Sequence, residues 1–474
     1  MNMTERKPRN RGDKKRGRFG GNTSRRRGKP SRARDDQFRP NQTPRPREIA
    51  EPMEAIEMDG IFGSLIPEVQ HALQKEGYST PTPVQGKTIL PQIEGRDLFG
   101  SAQTGTGKTA AFTIPLLQGL AAEKINPEGR HPRALILAPT RELAAQIGDS
   151  ITAYGRFLQV SHTVIYGGVG QGPQEKAMNR GVDIVVATPG RLLDLMGQGF
   201  VKLDAVKTFI LDEADRMLDM GFIPDIERIL AELPSERRTG FFSATLPTAV
   251  EALAKRLLVD PARVTINPEQ PTVEKICQRL LYVDRDNKDD LLVSILRDPE
   301  VKRAIVFTQM KYKANRVCER LERVGISAAP IHGNKTQAAR TRALEQFRKG
   351  KVKVLVATDI AARGIDVDGI TDVFNYDLPT EAETYIHRIG RTARAGSEGQ
   401  AWTFCSKEEA GQLLDIERMI KKQIPDDVEH DLHSERAFKS VRSPQKQHGR
   451  QPRNGYGKNT PTKRRPRRNA RYAR

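Results

Sequence analysis

The chain reads as an α/β protein of two tandem domains, each a mostly parallel sheet with helices on both faces, flanked by disordered basic tails. Three observations predict this. Short β-branched runs alternate with longer amphipathic stretches, the alternation starts again after Asn267-Pro268-Glu269-Gln270-Pro271, and the excess positive charge sits at the two ends. At 474 residues with 37% hydrophobic content the chain is long enough for two or three domains with real cores.

Taken in order, residues 1–50 form the first expected element, an arm. Residues 1–48 carry a net charge of +12, and 436–474 carry +14; the whole chain carries +20, so the middle is mildly acidic at −6. Both ends are poor in large apolar side chains and rich in Arg, Pro, Gly, Asn and Gln, a composition that buries too little surface to offset the entropy of ordering. A solvated tail and a nuclear import signal are competing readings. The density of like charge favours sequence-independent, salt-sensitive binding to a polyanion, with Phe19, Tyr456 and Tyr472 too sparse for a stacking surface.

Residues 51–268 form the first expected domain. Its candidate strands are 97–100, 134–138, 183–188, 208–212 and 240–243, each followed by a plausible helix. Residues 269–430 form the second, with strands at 277–283, 304–308, 352–358, 372–375 and 401–404, and 431–474 make the basic C-terminal arm. No apolar run approaches the roughly 20 residues that span a bilayer, and the segment Met1 to Arg18 is polar and basic, which predicts a soluble, cytoplasmic protein. Cys277, Cys318 and Cys405 lack metal-ligand spacing and read as reduced, structural thiols.

Four motifs carry chemistry. Ala102-Gln103-Thr104-Gly105-Thr106-Gly107-Lys108-Thr109 lies between a strand and a helix, the context in which backbone N–H groups cradle phosphates. Lys108 would charge-balance the β- and γ-phosphates and Thr109 would ligate Mg²⁺; Ala102 stands where the generic pattern has Gly. Asp212-Glu213-Ala214-Asp215 follows an apolar strand and so emerges at a carboxyl edge, where open α/β sheets bind ligands. We assign Asp212 to the metal and Glu213 to the attacking water. Arg388, Arg391 and Arg394 recur three residues apart and would share one face of a helix. Arg391 and Arg394 are the candidate arginine fingers, against the competing reading of an exposed basic helix. If they act so, hydrolysis requires the two domains to close. The fourth motif is Ser243-Ala244-Thr245.

From about Phe62 to Lys421 these residues resemble the DEAD-box ATP-dependent RNA helicases, with the closest likeness to the bacterial RhlE-like branch. The likeness rests on Gly77-Tyr78-Ser79-Thr80-Pro81-Thr82-Pro83-Val84-Gln85 with Phe62 upstream, Pro139 to Leu143, Gly167-Gly168, Thr188 to Arg191, Asp212 to Asp215, Ser243 to Thr245, Ala357 to Asp366 and His387 to Arg394, all in family order. It implies two tandem RecA-like domains and the cofactors ATP and Mg²⁺. It further implies that Gln85 pairs with the adenine edge, Phe62 stacks on its face, and Asp366 approaches the ribose. Ser243 and Thr245 would couple the nucleotide site to RNA by bonding within the first domain, to Asp215, and His387 would couple the two domains. Thr140, Arg141, Gly168, Thr188, Gly190 and Arg191 would line the RNA backbone in the first domain, and Gly333, Arg340, Thr358 and Arg363 in the second. Amides and basic side chains suit phosphate binding without base readout.

The expected mechanism is closure of both domains on ATP and RNA, local strand separation because the closed surface fits a bent single strand, and reopening after hydrolysis. An ATP-gated RNA clamp with little strand separation uses the same motifs, and a DNA-directed motor has related architecture. Ribosome assembly, RNA decay and cold adaptation all use such enzymes, so ribosomal or decay assemblies are candidate partners. His332 reads equally as a buried core histidine or an RNA contact; Trp402, Met217 and Met220 read as packing.

Overall fold

The computed structural model describes residues 53–102, 105–123, 125–266, 276–362, 367, 369–393 and 398–443. The first sheet contains β1 (Leu98–Ser101), β2 (Ala134–Leu137), β3 (His162–Ile165), β4 (Ile184–Ala187), β5 (Thr208–Leu211), β6 (Arg238–Ser243) and β7 (Ala262–Thr265), in the order β3-β4-β2-β5-β6-β1-β7. The second contains β8 (Ile276–Tyr282), β9 (Ala304–Phe307), β10 (Ala328–Ile331), β11 (Val354–Ala357), β12 (Asp372–Asn375), β13 (Gly399–Cys405) and β14 (Asp426–Asp427), ordered β10-β11-β9-β12-β13-β8-β14. All strand pairings are parallel, as the alternation of strands and helices requires.

The central strands are short and buried on both faces because successive side chains point to opposite sides. Ile136 and Ile210 enter one core with Phe62, Phe112 and Phe242, while Leu135, Leu137, Phe209 and Leu211 enter the other with Phe241. The second sheet divides likewise, with Val306, Val356 and Phe374 on one side and Ile305, Phe307, Leu355 and Val373 on the other.

Local chemistry fixes the two helices that flank the 102–109 loop. Helix Pro83–Ile93 begins with Pro at its first position, where a missing N–H costs nothing. Helix Lys108–Ala122 contains Pro115, which leaves the Ala111 carbonyl without its helical donor; Gln92 Nε2 fills the gap at 2.9 Å and ties the two helices together.

The second domain extends further than the sequence predicts. Residues expected to begin the C-terminal arm at 431 instead run into helix Glu435–Arg442, which buries Ala437 and Val441 against Leu413 and Ile416. Ser434 caps it by accepting from the Ala437 N–H, and Arg442 closes its last turn with hydrogen bonds of 2.8 Å to both oxygens of Glu417 and to Asp426. The basic composition masked this amphipathic turn. Residues 1–52 and 444–474 lie outside the described residues, as does the expected domain boundary at 268. No helix among the described residues is long and apolar enough to cross a membrane.

Candidate active site and nucleic-acid interface

The nucleotide cradle is built at the carboxyl end of β1. Ala102 is buried, and its N–H donates to the Ser243 carbonyl at 3.1 Å, locking the loop onto β6. Gly105 and Gly107 take φ of 83° and 94°, the left-handed region, and a Cβ on Gly107 would stand 2.5 Å from Gln85 Nε2. Lys108 is only 6% exposed, and its Nζ has no hydrogen-bond partner among the described residues. A buried ammonium without an acceptor is costly, and a phosphate in the cradle would satisfy it. Thr109 follows, half-buried, in the first turn of the helix. Gln103 and Thr104 lie outside the described residues.

Gln85 is fully buried: its Oε1 accepts from the Thr82 N–H at 2.9 Å and its Nε2 donates to the Gly107 carbonyl at 3.3 Å. The side chain expected at the adenine edge thus also holds the phosphate loop. Phe62 departs from expectation. It has no exposed surface, and its ring packs edge-on to Tyr78 at 6.4 Å, so it presents no face to a base in this structure. Tyr78, half-buried outside it, bonds Tyr154 through their hydroxyls at 2.9 Å. Asp366 lies outside the described residues.

The acids leave β5 as expected. Asp212 is 2% exposed, and burial pushes its pKa up to about 7 despite the Lys108 charge, with Glu213 adding to the rise. Glu213 adopts φ 53° and ψ 53°, rare for a residue with a side chain. Burial would raise its pKa, but the charges of Arg216, Lys108 and Arg391 together hold it below the usual carboxylate range. Arg216 also hydrogen-bonds its Oε2. The Ser243–Thr245 segment wraps Asp215: Asp215 Oδ2 accepts from the Ala244 N–H, the Thr245 N–H and Thr245 Oγ1 at 3.1, 2.8 and 2.9 Å, and Ser243 Oγ accepts from the Asp215 N–H at 3.3 Å.

The arginine triplet separates. Helix Ala382–Ile389 stops before Arg391, so the expected shared helical face does not form. Arg388 turns into its own domain, where it is 1% exposed, bonds both Asp359 oxygens at 2.6 and 2.8 Å and lies over Phe307. Arg391 instead brings its charge to Glu213 in the first domain, its Nε donating to the His387 carbonyl at 3.2 Å. Arg394 lies outside the described residues. His387 lines a small cleft with Asp359, Arg388 and Arg391.

Of the expected RNA-backbone residues, Arg141, Arg191 and Arg340 come together between the domains. Thr140 caps helix Arg141–Tyr154, and Thr188 precedes helix Pro189–Gly197. The Arg141 guanidinium lies against Gly168, whose φ is 79°, so closely that a Cβ there would collide with Nη1. Burial, with the Arg340 and Arg191 charges, lowers its pKa. Arg191 Nη1 and Arg340 Nε are buried donors with no partner among the described residues, which suits an anion between them. Gly190 faces open space, Gly333 stands beside Lys311, and the Thr358 N–H bonds the Ile331 carbonyl at 3.3 Å; Arg363 lies outside the described residues. His332 is buried, with Nε2 against Asn315 Oδ1 at 3.0 Å, as a core histidine would be. Met217 is buried packing. Trp402 packs on the core, stacked with Phe374.

Two residues between the domains escape a sequence reading. Glu142 accepts from Gln337 Nε2 at 3.0 Å and pairs with Arg340 Nη2 at 2.8 Å, crossing between domains. An acid among phosphate-binding residues gives no signal of its own; Gln337, three before Arg340 on one helix face, could have been found from Arg340.

A glycine-rich loop at the carboxyl end of a parallel sheet, with the charge of an arginine from a second such domain acting on the acid beside it, fits a two-domain ATPase. The DEAD/DEAH box helicase family pattern matches residues 82–253, and the helicase conserved C-terminal domain matches 287–396. The DEAD-box ATP-dependent RNA helicase CshA of Bacillus subtilis is 43% identical over 361 residues, 76% of this chain and 72% of that protein. CshA of Geobacillus kaustophilus is 43% identical over 75% of each. Among solved structures, Mss116p bound to single-stranded RNA and AMP-PNP aligns with TM-score 0.70, at 30% identity over 80% of each chain. S. cerevisiae Dbp5 bound to RNA and ADP BeF3 aligns at 0.67, with 32% identity over 76% of this chain and 94% of that one. The chain belongs to the DEAD-box ATP-dependent RNA helicases, with two tandem RecA-like domains.

Proposed function

We propose that this helicase hydrolyses ATP only when RNA and ATP together hold its domains closed, and that closure separates RNA strands locally. In this reading the Gly105–Thr109 amides and Lys108 bind the phosphates, Gln85 reads the adenine, Glu213 takes the proton of the attacking water, and Arg391 and Arg394 stabilise charge on the departing phosphoryl group. Asp212 and Thr109 would hold Mg²⁺, which supplies charge neutralisation on the phosphates when bound; a buried carboxylate with so raised a proton affinity fits a neighbouring cation. Ser243 and Thr245, bonded to Asp215, would couple this site to RNA, and His387 would couple the two domains. Thr140, Arg141, Gly168, Thr188, Gly190 and Arg191, with Gly333, Arg340, Thr358 and Arg363, would follow the RNA backbone.

The observation that carries the reading is the contact between the domains, where Glu142 of the first bonds Gln337 Nε2 at 3.0 Å and pairs with Arg340 Nη2 at 2.8 Å in the second. Steady-state hydrolysis with and without single-stranded RNA tests it, with matched DNA as control and Glu213→Gln as blank. Stimulation by RNA alone, lost in the variant, is expected; equal stimulation by DNA, or none by either, overturns it.

The finer assignments rest on the motifs and on composition. We place the protein in the RhlE-like branch and in the cytoplasm, with the basic ends adding sequence-independent RNA contacts and ribosomal or RNA-decay assemblies as candidate partners. Domain limits near 51–268 and from 269, with the second domain drawn out to Arg442 by its last helix, complete the reading.

A further inference from the structure

Among the described residues few large apolar side chains stand in solvent, and two of them adjoin: Met310 at 51% and Tyr312 at 63% exposure. They lie where the chain leaves the carboxyl end of β9 and enters helix Lys311–Arg323. That helix buries Ala314, Val317, Cys318 and Leu321, a stripe at three- and four-residue spacing that leaves Tyr312 outside it. Core packing therefore does not account for the ring, and Tyr312 makes no hydrogen bond among the described residues.

On the side of Lys311 its surroundings suit a phosphate. Lys311 Nζ bonds Asn334 Oδ1 at 3.2 Å, and its tip lies 3.6 Å from where a Gly333 Cβ would stand. On the other side Tyr312 lines a polar cavity of about 130 Å³, where Arg285, Lys288, Lys313 and Arg316 are largely matched by Asp286, Asp289 and Asp377. Lys313 is held by Asp377 at 2.8 Å and Arg316 by Asp289 at 3.4 Å and the Tyr376 hydroxyl at 3.2 Å, so that wall is charge-paired and fixed in place. Gly333 carries no side chain and Lys311 is a point charge, so both fit phosphates. An exposed aromatic ring on the next residue along the helix fits the face of a base, because stacking tolerates any base where hydrogen-bond readout does not.

We propose that Tyr312, flanked by Met310, is a stacking platform for one nucleobase of the same RNA strand, next to the backbone path at Gly333 and Arg340. This rests on the reading that those residues follow the RNA backbone. The platform adds grip on a base to a path otherwise made of backbone contacts, without making the protein sequence-specific.

The test is the affinity of the full-length protein for a short single-stranded oligoadenylate, with a non-hydrolysable ATP analogue present, as an abasic nucleotide is moved along the strand. The wild type is expected to lose about tenfold at one position, the size of a single base–aromatic stack. Tyr312→Ala loses as much on the intact strand and nothing further on the abasic one, while Tyr312→Trp keeps wild-type behaviour. Tyr312→Ala binding both strands as the wild type does, or weakening without erasing the abasic effect, overturns the platform. Lys311→Gln separates the two readings: it is expected to lower the salt dependence of binding by about one unit of slope. An unchanged slope together with an unchanged Tyr312→Ala affinity shows that the backbone path itself runs elsewhere.

Discussion

At the residue scale, the nucleotide site gathers buried charges that balance only in part. Lys108 lacks an acceptor among the described residues, Asp212 is raised toward neutral pH, and Glu213 is held ionised by three cations from two domains. An ionised carboxylate beside the cradle is a usable base, and its left-handed backbone aims it there at a cost the surrounding fold must offset. Glu213→Gln should lower RNA-stimulated kcat by about 10²–10⁴ while nucleotide still binds, read by single-turnover hydrolysis and by fluorescent ATP-analogue titration. Arg391→Ala should lower kcat by about 10³, because its charge acts on the closed site. Arg388→Ala should act differently. It strands Asp359 in the second domain, so the loss should appear in thermal melting of that domain as well as in turnover. The motif spacing made all three arginines look alike. Where helix Ala382–Ile389 ends decides which one faces the other domain.

At the element scale, the strands legible in the sequence are the central ones. The unassigned strands β3, β7, β10 and β14 are the four sheet edges. An edge strand is half solvated and weakly patterned: β7 alternates buried and exposed residues, β10 carries Pro330, and β14 is two residues long. The C-terminal helix was hidden differently, since its stabilising contacts are long-range. Removing Arg442 leaves Glu417 buried and unpaired, so Arg442→Ala should cost about 3 kcal/mol in denaturant unfolding of the second domain, with a chain ending at residue 430 losing at least as much. On β3, burial against helix Arg141–Tyr154 lowers the His162 pKa to about 4. Unfolded, the imidazole titrates near 6.5, so from there down to about 4 the unfolded chain binds a proton that the folded one refuses. This contribution is intact above pH 6.5 and lost as pH falls toward 4, and His162→Gln should flatten that part of a stability–pH profile.

At the scale of the whole molecule, closure joins the two sites. Glu142 bridges to Gln337 and Arg340 where RNA is proposed to bind, while the charge of Arg391 acts on Glu213 where ATP is proposed to bind, so one domain arrangement serves both. Ligands that favour the same arrangement must help each other equally. RNA should tighten ATP-analogue binding, and the analogue tighten RNA binding, by one common factor of about 5–150, measured by paired titrations. Different factors in the two directions would mean that a third state intervenes.

The sequence by itself determined the two-domain parallel α/β plan, the phosphate cradle and the acid pair after β5, because these depend on local periodicity and on residues adjacent in the chain. Tertiary structure alone decided which arginine acts on the first domain, that Phe62 is enclosed, that Glu142 bridges to Gln337 and Arg340, and that the second domain continues to Arg442. Each of those depends on burial and on partners distant in the chain, or on where an element stops, and neither composition nor spacing encodes that.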